Sequence, residues 1–189
     1  MILFHDRSSG KYCDPGGVVD PGETRLQCAQ KELREESLGL FRIDLTKANS
    51  TEVKPWTYYS SFVVAVQCPG TGIHKDMYDS NKAFIDGLTG VPREWRETDG
   101  MTRFYVDTLV AHGVSTARGD LDGVPDVYGT LQNIQGRAKG CIRDAIALGL
   151  MQPAAWTTLR IDAACAEGVG RAGTPLNAQT RGATKCYTY

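Results

Sequence analysis

The sequence predicts a single globular domain of ordinary size, with strand-like and helix-like runs both present. Hydrophobic and charged residues stand at 41% and 23%, and 189 residues suffice to bury a sizeable core. The 21 Lys and Arg nearly balance the 22 Asp and Glu, so a formal charge of −1 excludes any global attraction to nucleic acid or anionic lipid. Glycine is in excess, 21 residues against an average usage of about 7%, which predicts many turns or close backbone approaches.

Taken in order, Ile2 to Phe4 form a short strand, and Asp6 to Gly10 turn it into Lys11-Tyr12-Cys13 as a hairpin. Asp14 to Glu23 is a loop dense in Pro and Gly. It ends at Thr24-Arg25-Leu26-Gln27, where Thr at the N-cap and Gln three residues on make a capping box, so a helix runs from about 24 to 37 and closes at Gly39. Tyr58 to Cys68, aromatic and β-branched, reads as a strand covered on both faces. Residues 69–92, with Gly70, Gly72, Gly87 and Gly90, read as a long elaborated loop. Met101 to Val106 reads as a strand, Asp107 to His112 as a helical turn, and Gly136 to Leu150 and Ala154 to Ala166 as helices. The domain is expected to occupy 1–166, and 167–189, basic and without an acid, an extended or poorly ordered tail.

The apolar start Met1 to Phe4 is too short for a secretory leader, and no stretch reaches the roughly 18 apolar residues of a membrane span. Six cysteines lie scattered with no C-x-x-C pair. Reduced thiols, a cytoplasmic location and no membrane partner are expected.

The chemistry concentrates in the first helix. Glu32, Glu35 and Glu36 stand at i, i+3 and i+4, within an arc of about 100°, while Leu26, Ala29 and Leu33 fill the neighbouring arc. Like charges at this spacing repel by a few tenths of a kcal/mol per pair. A hard divalent cation reverses that penalty, and a donor set of oxygens alone selects Mg²⁺ or Mn²⁺ over zinc. An acidic helix face is by itself more often the mark of a solvated surface.

The upstream spacing adds to the acids. Gly17, five residues, Glu23, seven residues and then Lys31-Glu32-Leu33-Arg34-Glu35-Glu36 resembles the signature G-x5-E-x7-R-E-U-x-E-E-x-G-U of Nudix hydrolases, with U a bulky aliphatic residue. Pro15-Gly16-Gly17 and Pro21-Gly22-Glu23 fit common flanks of that signature. Lys31 replaces its Arg, Leu38 stands at its Gly with Gly39 one place late, and Asp14 replaces an apolar residue. The resemblance implies an α/β/α sandwich around a mixed sheet, and a divalent-metal pyrophosphohydrolase. Its substrate would be a nucleoside diphosphate linked to another moiety: a nucleotide, a nucleotide sugar, a capped RNA or a diphosphoinositol-type compound. Glu32, Glu35 and Glu36 would hold the metal, with the main-chain carbonyl of Gly17 offered to a cation. Glu23 would orient the helix by pairing with Lys31. Glu36 or Glu35 would be the base, or a later glutamate, with Glu97 preferred to Glu94.

Around these, Lys11, Arg93, Arg96 and Arg103 are candidates to meet phosphates, and Tyr58, Tyr59, Trp95 or Phe104 to stack on a base. Aromatics in such strands are more often core residues. Cys28 reads as a small buried filler, and Asp120-Leu121-Asp122-Gly123 lacks the remaining ligands of a calcium loop. A small-molecule diphosphate is the expected partner, RNA being possible but not indicated by the net charge. The family also implies a strand ahead of the one that leads into the loop. Only Met1 to Phe4 precede it, so the sheet is trimmed, or filled by another segment, or completed by a second copy in a homodimer. From another class, the alternative is a fold-preserving module that binds nucleotide-like ligands without turnover.

Overall fold

The computed structural model describes residues 1–45, 50–64, 73–115 and 119–151 and the backbone of 166–169. Strand β1 (Ile2–Asp6) folds back on β2 (Lys11–Cys13), pairing Phe4 with Cys13 and Asp6 with Lys11. Asp6 tightens the turn by accepting from the Ser8 N–H and hydroxyl. On its other edge β1 pairs antiparallel with β6 (Thr98–Arg103). Strand β8 (Leu131–Ile134) runs parallel to β2 through Tyr12 and Ile134, and β7 (Leu121–Pro125) closes the edge antiparallel to β8. The resulting mixed sheet has the order β6-β1-β2-β8-β7.

Consecutive strand residues point to opposite faces, and β1 shows the outcome. Leu3 joins a core with Phe104, Leu109, Val124, Ile134 and Ile142. Phe4 joins a second core with Leu40, Phe41, Tyr78, Ile85 and Met101. The first is covered by α3 (Val106–Ala111) and α4 (Gly136–Ala147), the second by α1 (Arg25–Glu36) and α2 (Ile73–Asp86). Both faces are therefore clad, giving the α/β/α arrangement around a mixed sheet. Two ribbons flank it: β3 (Phe41–Ile43) with β9 (Ala166–Val169), and β4 (Thr51–Trp56) with β5 (Tyr59–Val63).

Several local expectations are corrected. Residues 73–86 form a helix, because Met77, Tyr78, Asn81, Phe84 and Ile85 recur at helical spacing and four of them pack into the second core. The run from Tyr58 divides: β5 spans Tyr59–Val63 in a hairpin, half-buried throughout, with Pro55 inside β4 at an irregular register. Residues 65–68 of it lie outside the described residues, as do 154–165 of the last expected helix and 170–189 of the tail. The Asp120 segment enters β7, and Asp120 accepts from Gly136 N–H at the start of α4.

The end of α1 explains one departure from the sequence signature. Leu38 N–H donates to Glu35 O at 3.0 Å and Gly39 N–H to Arg34 O at 2.7 Å, a Schellman ending with Leu38 at C′. Leu38 accordingly takes φ +56°, the left-handed conformation in which glycine is usual and an L-residue is strained by about 1–2 kcal/mol. Its side chain is 3% exposed in the second core, and its carbonyl accepts from Asn81 Nδ2 at 3.0 Å. Packing and that hydrogen bond offset the strain. Leu38→Ala should therefore be less stable than Leu38→Gly by about 1 kcal/mol, since both lose the packing and glycine alone relieves the strain. Urea unfolding of the pair measures it, and an alanine variant as stable as the glycine one would contradict it.

Candidate active site

Helix α1 starts as its sequence requires. Thr24 accepts from Gln27 N–H at 3.2 Å, while the Gln27 side chain accepts from Thr24 N–H at 2.8 Å, closing the capping box. Leu26, Ala29 and Leu33 turn to the second core, which leaves Glu32 and Glu36 facing the loop that enters the helix and Glu35 within electrostatic reach of Glu94 and Glu97. At the far end, Glu36 O accepts from the buried Thr98 hydroxyl at 2.7 Å, and Thr98 in turn accepts from Tyr78 at 2.8 Å. Strand β6 directly, and α2 through it, thereby hold the last turn.

The three acids occupy different settings. Glu36 is 5% exposed and accepts from Gly16 N–H at 3.0 Å. Burial pushes its carboxyl up to about 8 despite that bond and the nearby Arg137. Glu32 lies against Gly17: a β-carbon there would stand 2.6 Å from the Glu32 carboxyl carbon, so only glycine leaves the carboxylate its place. Burial, then the charge of Glu35, raises the Glu32 carboxyl, with Lys31 opposing and Glu97 adding to the rise. Glu35 is raised by burial, against Lys31, and further by Glu94 and Glu97.

Lys31 Nζ stands 2.7 Å from Asp20, 3.4 Å from Glu23 and 3.9 Å from Glu32. The Asp20 and Glu23 pairs hold it well above the usual lysine range. Asp20 is thus the nearer partner, and its own N–H donates to Glu23 at 3.1 Å. The Asp20-Pro21-Gly22-Glu23 turn was its only signal in the sequence.

The loop has a second anchor. Asp14 accepts from the Tyr59 hydroxyl at 2.9 Å, its carbonyl accepts from Arg137 Nη2 at 2.9 Å, and Arg137 Nε lies 3.5 Å from its carboxylate. Arg137 also sits over the Tyr59 ring, 5.3 Å from its centroid. The polar residue that departs from the signature is therefore the point at which α4 and β5 grip the loop, two residues before the N–H that holds Glu36. Neither Arg137 nor its pairing with Asp14 was visible in the sequence, because 123 positions separate them.

The remaining candidates divide. The 3-10 turn Arg93–Arg96 packs on α1, with Arg34 over the Trp95 ring at 5.8 Å, and brings Glu94 and Glu97 within electrostatic reach of the acids. Arg7 N–H donates to Glu97 O at 3.0 Å, fixing the backbone from which that side chain leaves. Trp95 is packed against the second core, and Arg96 donates to Leu88 O at 2.7 Å, so both brace the turn. Arg93 is 90% exposed and 4.0 Å from Glu97. Lys11 pairs with Asp120, apart from the acidic face. Tyr58 is exposed and stacks on Trp56, Phe104 is core, and Cys28 is a buried thiol raised to about 11 by burial and the neighbouring Glu23 and Glu32.

Among the described residues no three acidic, histidine or cysteine side chains converge closely enough to hold a metal ion. The carboxylates are held instead by separate partners, Glu36 by Gly16 and Glu32 against Gly17. The donor set nevertheless suits a hard divalent cation: it is all oxygen, Gly17 puts no side chain beside Glu32, and burial raises the proton affinity of all three acids. Gly17→Ala should displace the flexible Glu32 carboxylate at a cost below about 1 kcal/mol in stability, while weakening Mn²⁺ binding by about tenfold. Magnetic-resonance titration of free Mn²⁺ measures this, and unchanged affinity would sever the link between Gly17 and the acids.

Residues 2–76 match the family model of the NUDIX domain, a span that takes in β1, β2, the loop, the whole of α1 and the first residues of α2. No curated protein and no solved structure matches the chain. What the comparison identifies is therefore a NUDIX domain at residues 2–76 of the chain.

Proposed function

We propose that this chain is a Nudix hydrolase, a divalent-metal-dependent pyrophosphohydrolase that cleaves the bridge of a substituted diphosphate, the family's nucleoside diphosphate derivatives being the reference class. The observation that carries the reading is the conjunction of three carboxylates on one helix face, each with its proton affinity raised by burial, with a glycine loop pressed against two of them. Mg²⁺ or Mn²⁺, when bound, would neutralise the diphosphate and acidify a water.

In this reading Glu32, Glu35 and Glu36 hold the cation, helped by the carbonyl of Gly17. Lys31, gripped by Asp20 and Glu23, keeps the loop registered on the helix. A carboxylate of this group accepts the proton of the attacking water. Glu36, Glu35 and Glu97 are its candidates, and the raised affinity of Glu36 and Glu35 for protons suits either to that task. Arg93, exposed beside Glu97, is free to swing toward a phosphate.

With Mn²⁺, the full chain should release a monophosphate product from some member of a diphosphate panel, and Glu36→Gln should lower the rate by about 10² to 10⁴. Ligand binding without turnover across the panel would instead favour the non-catalytic module.

The pH dependence has a definite sign. The Glu36 carboxyl lies at about 8 in the fold against an ordinary 4.5, so in the metal-free chain its stabilising contribution is complete below 4.5 and is lost as pH rises through 8. Cation binding requires the ionised form. Mn²⁺ binding at pH 7 should therefore expel a proton, and its affinity should climb toward pH 8. Calorimetry in buffers of different ionisation enthalpy reads the proton directly, and Glu36→Gln should abolish that share. Equal heats in all buffers would sink the assignment.

A further inference from the structure

A cavity of about 780 Å³ adjoins the acidic face, with Gly16, Gly17 and Glu32 forming part of its wall. This size falls in the range of small-molecule sites. Most of the lining is hydrocarbon, supplied by Leu33 of α1, Phe41 and Ile43 of β3, Phe62 of β5, Ile142 of α4 and Met151, while its uncharged polar side chains include Ser60, Ser61 and Tyr59, of which Ser60 accepts from Arg25 at 3.5 Å and Tyr59 donates to Asp14. Its charged lining residues are Asp14, Arg25, Glu32 and Arg103. Asp14 is engaged by Tyr59 and Arg137, and Arg25 lies 3.6 Å from Glu52. Two further lining residues are themselves apolar and open to solvent: Val19, 41% exposed in the glycine loop, and Tyr58, 84% exposed at the β4–β5 turn.

A nucleobase or sugar requires several convergent donors and acceptors, whereas a hydrocarbon requires only area to displace water from. We propose that one substituent of the substrate diphosphate is a hydrocarbon chain of alkyl or prenyl class, seated in this cavity while the diphosphate lies at Gly17 and Glu32. The assignment rests on the pyrophosphohydrolase reading above. The step balances without a co-reactant: water oxygen bonds to one phosphorus, the bridging P–O bond breaks with its electron pair leaving on the departing phosphate, and a carboxylate takes the water proton. An alkyl diphosphate gives an alkyl monophosphate and orthophosphate.

A homologous series from methyl to decyl diphosphate, presented to the full chain with Mn²⁺, tests it. Each methylene that enters the cavity should raise kcat/KM by about fourfold until the cavity is filled. Calorimetry of the matching alkyl monophosphates with the metal-free chain should show the same climb in affinity. Val63→Trp, at a half-buried wall position of β5, should flatten the slope within its own series, each value referred to methyl diphosphate on the same variant. Turnover of methyl diphosphate with no dependence on chain length, or a preference for nucleoside diphosphates alone, would overturn the cavity assignment and leave the hydrolase reading standing. A climb in binding with no turnover of any member would retain the cavity and sink the hydrolase reading.

Discussion

The site depends on keeping like charges together in a setting that resists them. Glu36 is nearly enclosed beneath the loop that enters α1, with one backbone N–H as its direct partner, and Glu32 is wedged against a glycine on the same loop. Desolvation disfavours each charge and proximity disfavours the set, so the arrangement persists only because packing elsewhere over-determines it. That packing is visible at every boundary of the helix: the capping box at its start, Lys31 tied to the loop in the middle, and Thr98 and the Leu38 ending at its close. A rigid frame is what keeps the carboxylates together against both penalties.

The departures from the family signature become intelligible through the same frame. Lysine at 31 forms point-charge pairs with two acids, so the loop contributes Asp20 as well as Glu23. Leucine at 38 adopts the backbone conformation that glycine would take freely, and recovers the strain through burial. Aspartate at 14 exchanges an apolar contact for a polar grip by Tyr59 and Arg137. Each substitution thus retains the geometry by a different physical means.

What was legible in the sequence was local. The hairpin, the capping box, the acidic arc and α4 follow from patterns a few residues long, and the structure forms each of them. Helix α2 went unread because its apolar stripe lies beside a glycine-bearing stretch and opens without a capping signal. Strands β7 and β8 contain Gly123, Pro125 and Asn133, residues disfavoured in strands, and owe their state to pairing with each other and with β2. Of the candidate side chains, Lys11, Trp95 and Arg96 have structural partners that no short pattern encodes.

The anchoring of Asp14 by Arg137 also bears on the order in which the molecule can be built. The recognisable family span ends at residue 76, yet the strand beside β1 is supplied by 98–103 and the clasp on the loop by residue 137. On a ribosome the acidic helix emerges early, while the residues that fix its loop emerge roughly a hundred positions later. Closure across such a separation is slow compared with local helix formation. The acids are therefore synthesised well before Arg137, and the part of the chain beyond the recognisable span decides when that clasp on the loop closes.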